Sequence, residues 1–124
     1  MEKEIIKAIY ADLKERDAEI TTRLADALSA NADVTYIEEL STKSVVISDI
    51  LADFRNNKEL RRVFSYMTYL KQTHAVISED FMVLSKPEEL HAGFSKLEAI
   101  TTLMFAAKHI LSDKMDELLT YSIH

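Results

Sequence analysis

Cysteine is absent from the 124 residues, and glycine and proline occur once each, as Gly93 and Pro87. Without cysteine there is no disulfide, no thiolate nucleophile and no cysteine-ligated zinc, which suits a reducing compartment. A single glycine leaves no phosphate-cradling loop and no Gly-x-Ser-x-Gly elbow for a nucleophilic serine. Sheet-rich domains need many tight turns, and those turns draw on glycine and proline for their backbone angles. A chain with one of each has few turns and therefore long helices.

Two further shortages narrow the partners. The longest uncharged apolar-rich stretch, Ala99 to Ala107, falls far short of the ~20 residues that span a bilayer. The opening residues Met1-Glu2-Lys3-Glu4 enter an amphipathic pattern directly, with no basic-then-apolar signal segment. No membrane association and a cytoplasmic location are expected. Basic charge is also short: 15 Lys and Arg against 21 Asp and Glu leave a net charge of −6. Binding through nucleic-acid phosphates calls for the opposite balance, so nucleic acid is not expected as a partner.

What remains is ordinary globular material, 48% hydrophobic and 29% charged, of a length that makes residues 1–124 one domain. Helical spacing of apolar residues traces four segments. The first, about 2–30, carries Ile6, Ile9, Leu13, Ile20, Leu24, Ala27 and Leu28, interrupted at Arg16 and Asp17. Asn31-Ala32-Asp33 follows as a turn with Asp33 as the next N-cap. The second, about 34–54, carries Ile37, Leu40, Ile47, Ile50, Leu51 and Phe54, with a stretch at Ser41–Val46 poor in helix formers. The third begins near Lys58 with Leu60, Phe64, Met67, Leu70, His74, Ile77, Phe81 and Leu84, and could restart at Ser78. Ser85-Lys86-Pro87-Glu88 has the form of a capping box with proline in the first turn. It opens the fourth segment, with Leu90, Phe94, Leu97, Ile100, Met104, Leu111, Met115 and Leu118. No repeat of 20–50 residues is present, so the expected fold is all-α, an antiparallel four-helix bundle, or five helices if the third segment breaks.

Catalytic and metal chemistry find no constellation. Di-iron bundles need Glu-x-x-His on two helices, and Glu88–His91 is the single copy. Adjacent acids such as Glu38-Glu39 and Asp116-Glu117 point apart on a helix. No catalytic residue, no metal ligand and no cofactor are therefore expected, and the chain is read as a non-enzyme. His74, on the third stripe, is either a core-edge histidine or the centre of a small-molecule or cofactor pocket, which would make the domain a sensor. A histidine phosphotransfer module shares this length and helix count. However, His109 lacks the lysine and small residues such modules carry, and His91 has its glycine and lysine at other offsets.

Apolar surface exceeds what one buried stripe per helix requires. Val63, Tyr66, Tyr69 and Val76 make a second line on the third segment. Leu103-Met104-Phe105-Ala106-Ala107, with Ile100 and Ile110, is apolar nearly all round. Such a helix must be covered on every side. Tyr66, Tyr69, Leu103 and Phe105 are accordingly expected at an interface with another protein or a second copy of the chain, a homodimer. The alternative is an irregular bundle that wraps the fourth helix. The run Arg55, Lys58, Arg61 and Arg62 is a basic patch at a helix start, where positive charge is disfavoured; it either pairs with acids of a neighbouring helix or meets an acidic or phosphorylated partner. Gly93 lies inside a helical pattern, so either another helix approaches closely there or the helix breaks. The functional expectation is a non-enzymatic module of protein–protein interaction: an adaptor, chaperone, inhibitor or regulator.

Overall fold

The computed structural model describes residues 1–123, apart from the side chains of residues 118 and 120–123. Leu118, assigned to the fourth stripe, and His124 thus fall outside the described atoms. The chain is 91% helical with no strand among the described residues. Helix α1 spans Glu2–Ser29, α2 Val34–Asn56, a short 3-10 turn Lys58–Arg61, α3 Val63–Met82 and α4 Pro87–Ile123. No helix is long and apolar enough to cross a membrane among the described residues. The third segment does not restart at Ser78. Its break lies earlier, at Arg62, whose extended backbone (φ −118°, ψ 138°) separates α3 from the 3-10 turn that the Asn57 side chain caps by accepting from the Glu59 N–H at 3.0 Å.

The connections follow local chemistry. Between α1 and α2 the chain reverses through Asn31, whose φ of 52° is a left-handed conformation that asparagine tolerates. Asp33 occupies the N-cap position of α2, but its side chain makes no capping bond. On α1, Ile5, Ile9, Leu13, Ile20 and Ala27 are buried, while Leu28 at the helix end is exposed. The interruption at Arg16 is accommodated at the core edge, where its Nε pairs with Asp12 at 2.8 Å.

α4 packs against α1, α2 and α3, whereas α3 is held mainly by α4. The backbones of α2 and α3 stay apart, and the two helices meet through side chains: Phe54 edge-on to Tyr66, and the Tyr69 hydroxyl donating to Asp53. The irregular bundle that wraps the fourth helix is therefore the arrangement observed. The buried line on α4 is Ala99, Ile100, Leu103 and Ala107. It is rotated from the expected Phe94–Ile100–Met104 stripe because helices lie on several sides, and the two alanines let them approach. α3 is rotated likewise. Phe64, expected in the core, is 82% exposed, and Tyr66 is buried in its place, while Leu70 is buried as expected.

Gly93 sits in unbroken helix and is buried under the end of α3. A Cβ there would lie 2.7 Å from Cδ2 of Phe81 and 3.3 Å from Leu84. Close approach thus explains the glycine. Overpacking of this kind costs about 1–3 kcal/mol, against roughly 0.5–1 kcal/mol of helix propensity gained from alanine. Gly93→Ala is expected to destabilise by about 1 kcal/mol net in urea unfolding. The loss should shrink when Phe81→Leu makes room. A Gly93→Ala protein more stable than wild type would contradict the close approach.

Candidate functional site

Where α1 begins and α2 ends, three aromatic rings join three helices. Tyr10 stacks on Phe54 with centroids 5.6 Å apart and planes 15° apart. Phe54 in turn meets Tyr66 edge-on at 5.5 Å and 89°. Phe54 and Tyr66 are buried, while Tyr10 presents its ring to a groove. That groove, about 600 Å³ in volume, is lined by Lys3, Glu4, Ile6, Lys7, Tyr10, Phe54, Arg55 and Arg61. Four cations and one acid therefore surround an apolar and aromatic floor, in a chain whose net charge is −6.

Two of the four cations, Arg55 and Arg61, are positioned by specific bonds. Arg55 Nε donates to the Tyr10 hydroxyl at 3.0 Å, and its guanidinium lies 5.7 Å from the Tyr10 ring centre. Lys14 Nζ sits 4.6 Å from that ring centre, within cation–π range. Arg61 donates to the Arg55 carbonyl at 3.0 Å, which ties the 3-10 turn to the end of α2. The Arg55 hydrogen bond, reinforced by the nearby positive charges, lowers the Tyr10 pKa below the usual tyrosine value. Burial does the opposite to Tyr66 and Tyr69, each held well above that value; at Tyr69 the bond to Asp53 adds to the effect.

The expected basic patch is thus divided. Arg55 and Arg61 enter the groove, and neither uses an acid to hold its place. Arg62 approaches Glu2 at 4.0 Å while Glu2 also accepts from the Val63 N–H, and Lys58 is exposed outside the groove. Lys3, Lys7 and Tyr10 were not among the residues nominated from the sequence. Their signal was a Lys3, Lys7, Tyr10, Lys14 spacing of one helical face, legible only as a solvated stripe until α2 came alongside.

The four residues assigned to an interface separate in the same way. Tyr66 is 1% exposed and Leu103 2%, so both belong to the monomer core and cannot meet a partner. The cause is the wrapping of α4 and the aromatic packing of Tyr66. Tyr69 is half-buried and bonded to Asp53. Phe105 is 66% exposed on α4, and Phe94, 55% exposed, shares its face. A shallow depression of about 450 Å³ runs between them, bounded by Lys43, Leu97, Glu98, Thr101 and Thr102. Lys43 bridges Glu39 on its own helix and Glu98 on α4, each at 2.8 Å. Burial works against its charge, but the two hydrogen bonds prevail and raise its pKa.

The histidines are dispersed. His74 is half-buried, with Nδ1 3.5 Å from Ser78 Oγ one turn along α3, and lines none of the grooves described above. His109 is exposed beside Asp113 at 3.3 Å. His91 Nε2 is buried without a hydrogen-bond partner among the described residues, and its carbonyl accepts from the buried Ser95 hydroxyl. No group of three or more metal-ligating side chains converges among the described residues.

Comparison with protein-family models, curated proteins and solved structures finds no match to this chain.

The tyrosines supply a direct test of the groove electrostatics. In an alkaline titration followed by phenolate absorbance, Tyr10 is expected to ionise first and Tyr66 and Tyr69 last. Arg55→Gln should move the first step upward, because it removes both the hydrogen bond and the charge. A raised folded pKa on Tyr66 and Tyr69 means that their contribution to stability is complete below the unfolded value of about 10 and is lost as pH rises beyond it. Stability should therefore fall above about pH 10. A first ionisation step unmoved by Arg55→Gln would contradict the assignment.

Proposed function

We propose that the chain is a helical protein-interaction module that acts by surface contact, as an adaptor or regulator does, and pairs with a second copy through the outer face of α4. The observation that carries this reading is the alignment of Phe94 and Phe105. They lie about three turns apart on one side of the helix, and both are more than half exposed. Large aromatic side chains on one face are the anchors that interfaces use, and they are costly to leave in water.

The spacing favours a second copy as the partner because the face is self-complementary. A two-fold axis crossing α4 between Ala99 and Ile100 lays Phe94 of each copy on Phe105 of the other and sets Glu98 opposite Thr101. The two Glu98 carboxylates flank the axis, and each is paired with Lys43 of its own chain at 2.8 Å. An isologous contact of this form closes on itself as a dimer. Lys43, fixed by Glu39 and Glu98, supplies a polar rim.

Size-exclusion chromatography with light scattering at micromolar concentration tests the pairing. Wild type is expected to run as a dimer, and Phe94→Glu and Phe105→Glu as monomers with unchanged far-UV circular dichroism, because both side chains lie outside the monomer core. A monomeric wild type, or a dimer that survives in both variants, would overturn the reading.

A further inference from the structure

We infer that the groove between the start of α1 and the end of α2 is a binding site for an acidic segment of a partner polypeptide, one that carries an apolar anchor among its carboxylates. This site does not depend on pairing through α4, which lies on a different face.

Charge complementarity is the first support. Lys3, Lys7, Arg55 and Arg61 bring four positive charges against the single acid Glu4 in the largest concavity described, on a chain that is otherwise acidic. Elsewhere on the chain Arg16, Arg23 and Lys43 are each paired with an acid. In the groove the acids are displaced by aromatic and backbone partners. Arg55 is oriented by a tyrosine hydroxyl and Arg61 by a carbonyl. A guanidinium has five N–H donors, and each of these bonds uses one nitrogen, so both side chains are held in place with donors left for carboxylates.

The floor supplies the second support. Ile6 and the Tyr10 ring, which stacks on the buried Phe54, give the trough an apolar base. A ligand that fills it therefore combines several negative charges with an apolar side chain. An acidic peptide segment with an aromatic or leucine residue has both. Inorganic phosphate has no anchor for the floor. A nucleic-acid strand would carry its charge onward over a surface of net negative sign. The cations come from three separate elements, α1, α2 and the 3-10 turn, which suits charge spread along a chain.

The probe is a dye-labelled twelve-residue peptide of glutamates and aspartates around a phenylalanine and a leucine, followed by fluorescence anisotropy. Wild type is expected to bind it at low salt and to lose affinity as salt rises, because the pairs are partly exposed. Replacing the phenylalanine and leucine by serine should weaken binding. Lys3→Glu/Lys7→Glu should weaken it by roughly tenfold or more. Both lysines are exposed and without an internal ion pair among the described residues, so this variant tests the groove without threatening the fold. Arg55→Gln should also weaken binding, and Phe105→Glu should leave it unchanged. The proposal is overturned if the peptide does not bind at low salt, or if Lys3→Glu/Lys7→Glu binds as wild type does. It is equally overturned if inorganic phosphate or phosphatidylserine vesicles bind more tightly than the peptide, or if Phe105→Glu abolishes binding.

Discussion

The middle of α4 is apolar around most of its circumference, and a helix of that kind is stable in water only when neighbours surround it. Ile100 and Leu103 have almost no contact with solvent because α1, α2 and α3 all pack on the same helix. Ala99 and Ala107 keep the backbones close where those helices meet it. The rest of the architecture is arranged around this requirement. α3 needs little contact with α1, because α4 holds it, and Gly93 is where its end comes nearest. Three helices cannot close a full circle around a fourth, so one face of α4 remains, and Phe94 and Phe105 stand on it.

The opposite problem is solved at the start of α1. There the core ends in a chain of rings, Tyr10 on Phe54 on Tyr66, that passes from the surface through the bundle. Tyrosine suits that position because its ring can be buried while its hydroxyl reaches a polar group. Tyr10 uses its hydroxyl to orient Arg55, and Tyr69 uses its own to tie α3 to Asp53 of α2. The same aromatic packing thus holds the helix ends together and sets cations around an apolar floor. Packing and electrostatics are not separable there: Arg55 lowers the pKa of the ring that positions it.

The scarcity of glycine and proline made the helical class legible in the sequence, apolar periodicity the four segments, and Ser85–Glu88 marked the start of α4 closely. Rotation of the helices was not legible. α3 carries two apolar lines, through Phe64 and through Tyr66, and periodicity alone does not rank them. The choice falls to Tyr66 because Phe54, on another helix, offers its ring an edge-on contact. α4 poses the same ambiguity at Leu103, Met104 and Phe105, which point about 100° apart, and the positions of three neighbours decide it. Arg55 and Arg61 stood out as a local run. The lysines and tyrosine that complete their groove lie 45 or more residues away in sequence, and no local pattern joins them.

The central claim is that α4 is the element on which the other helices depend. Native-state hydrogen exchange tests it most directly, because amides that open only by global unfolding mark the last structure to be lost. The amides of residues 99–107 are expected to be among the slowest in the protein, with the facing parts of α1 and α2 protected to the same free energy. A slowest set confined to the α1–α2 hairpin, with the middle of α4 exchanging well before it, would contradict the account.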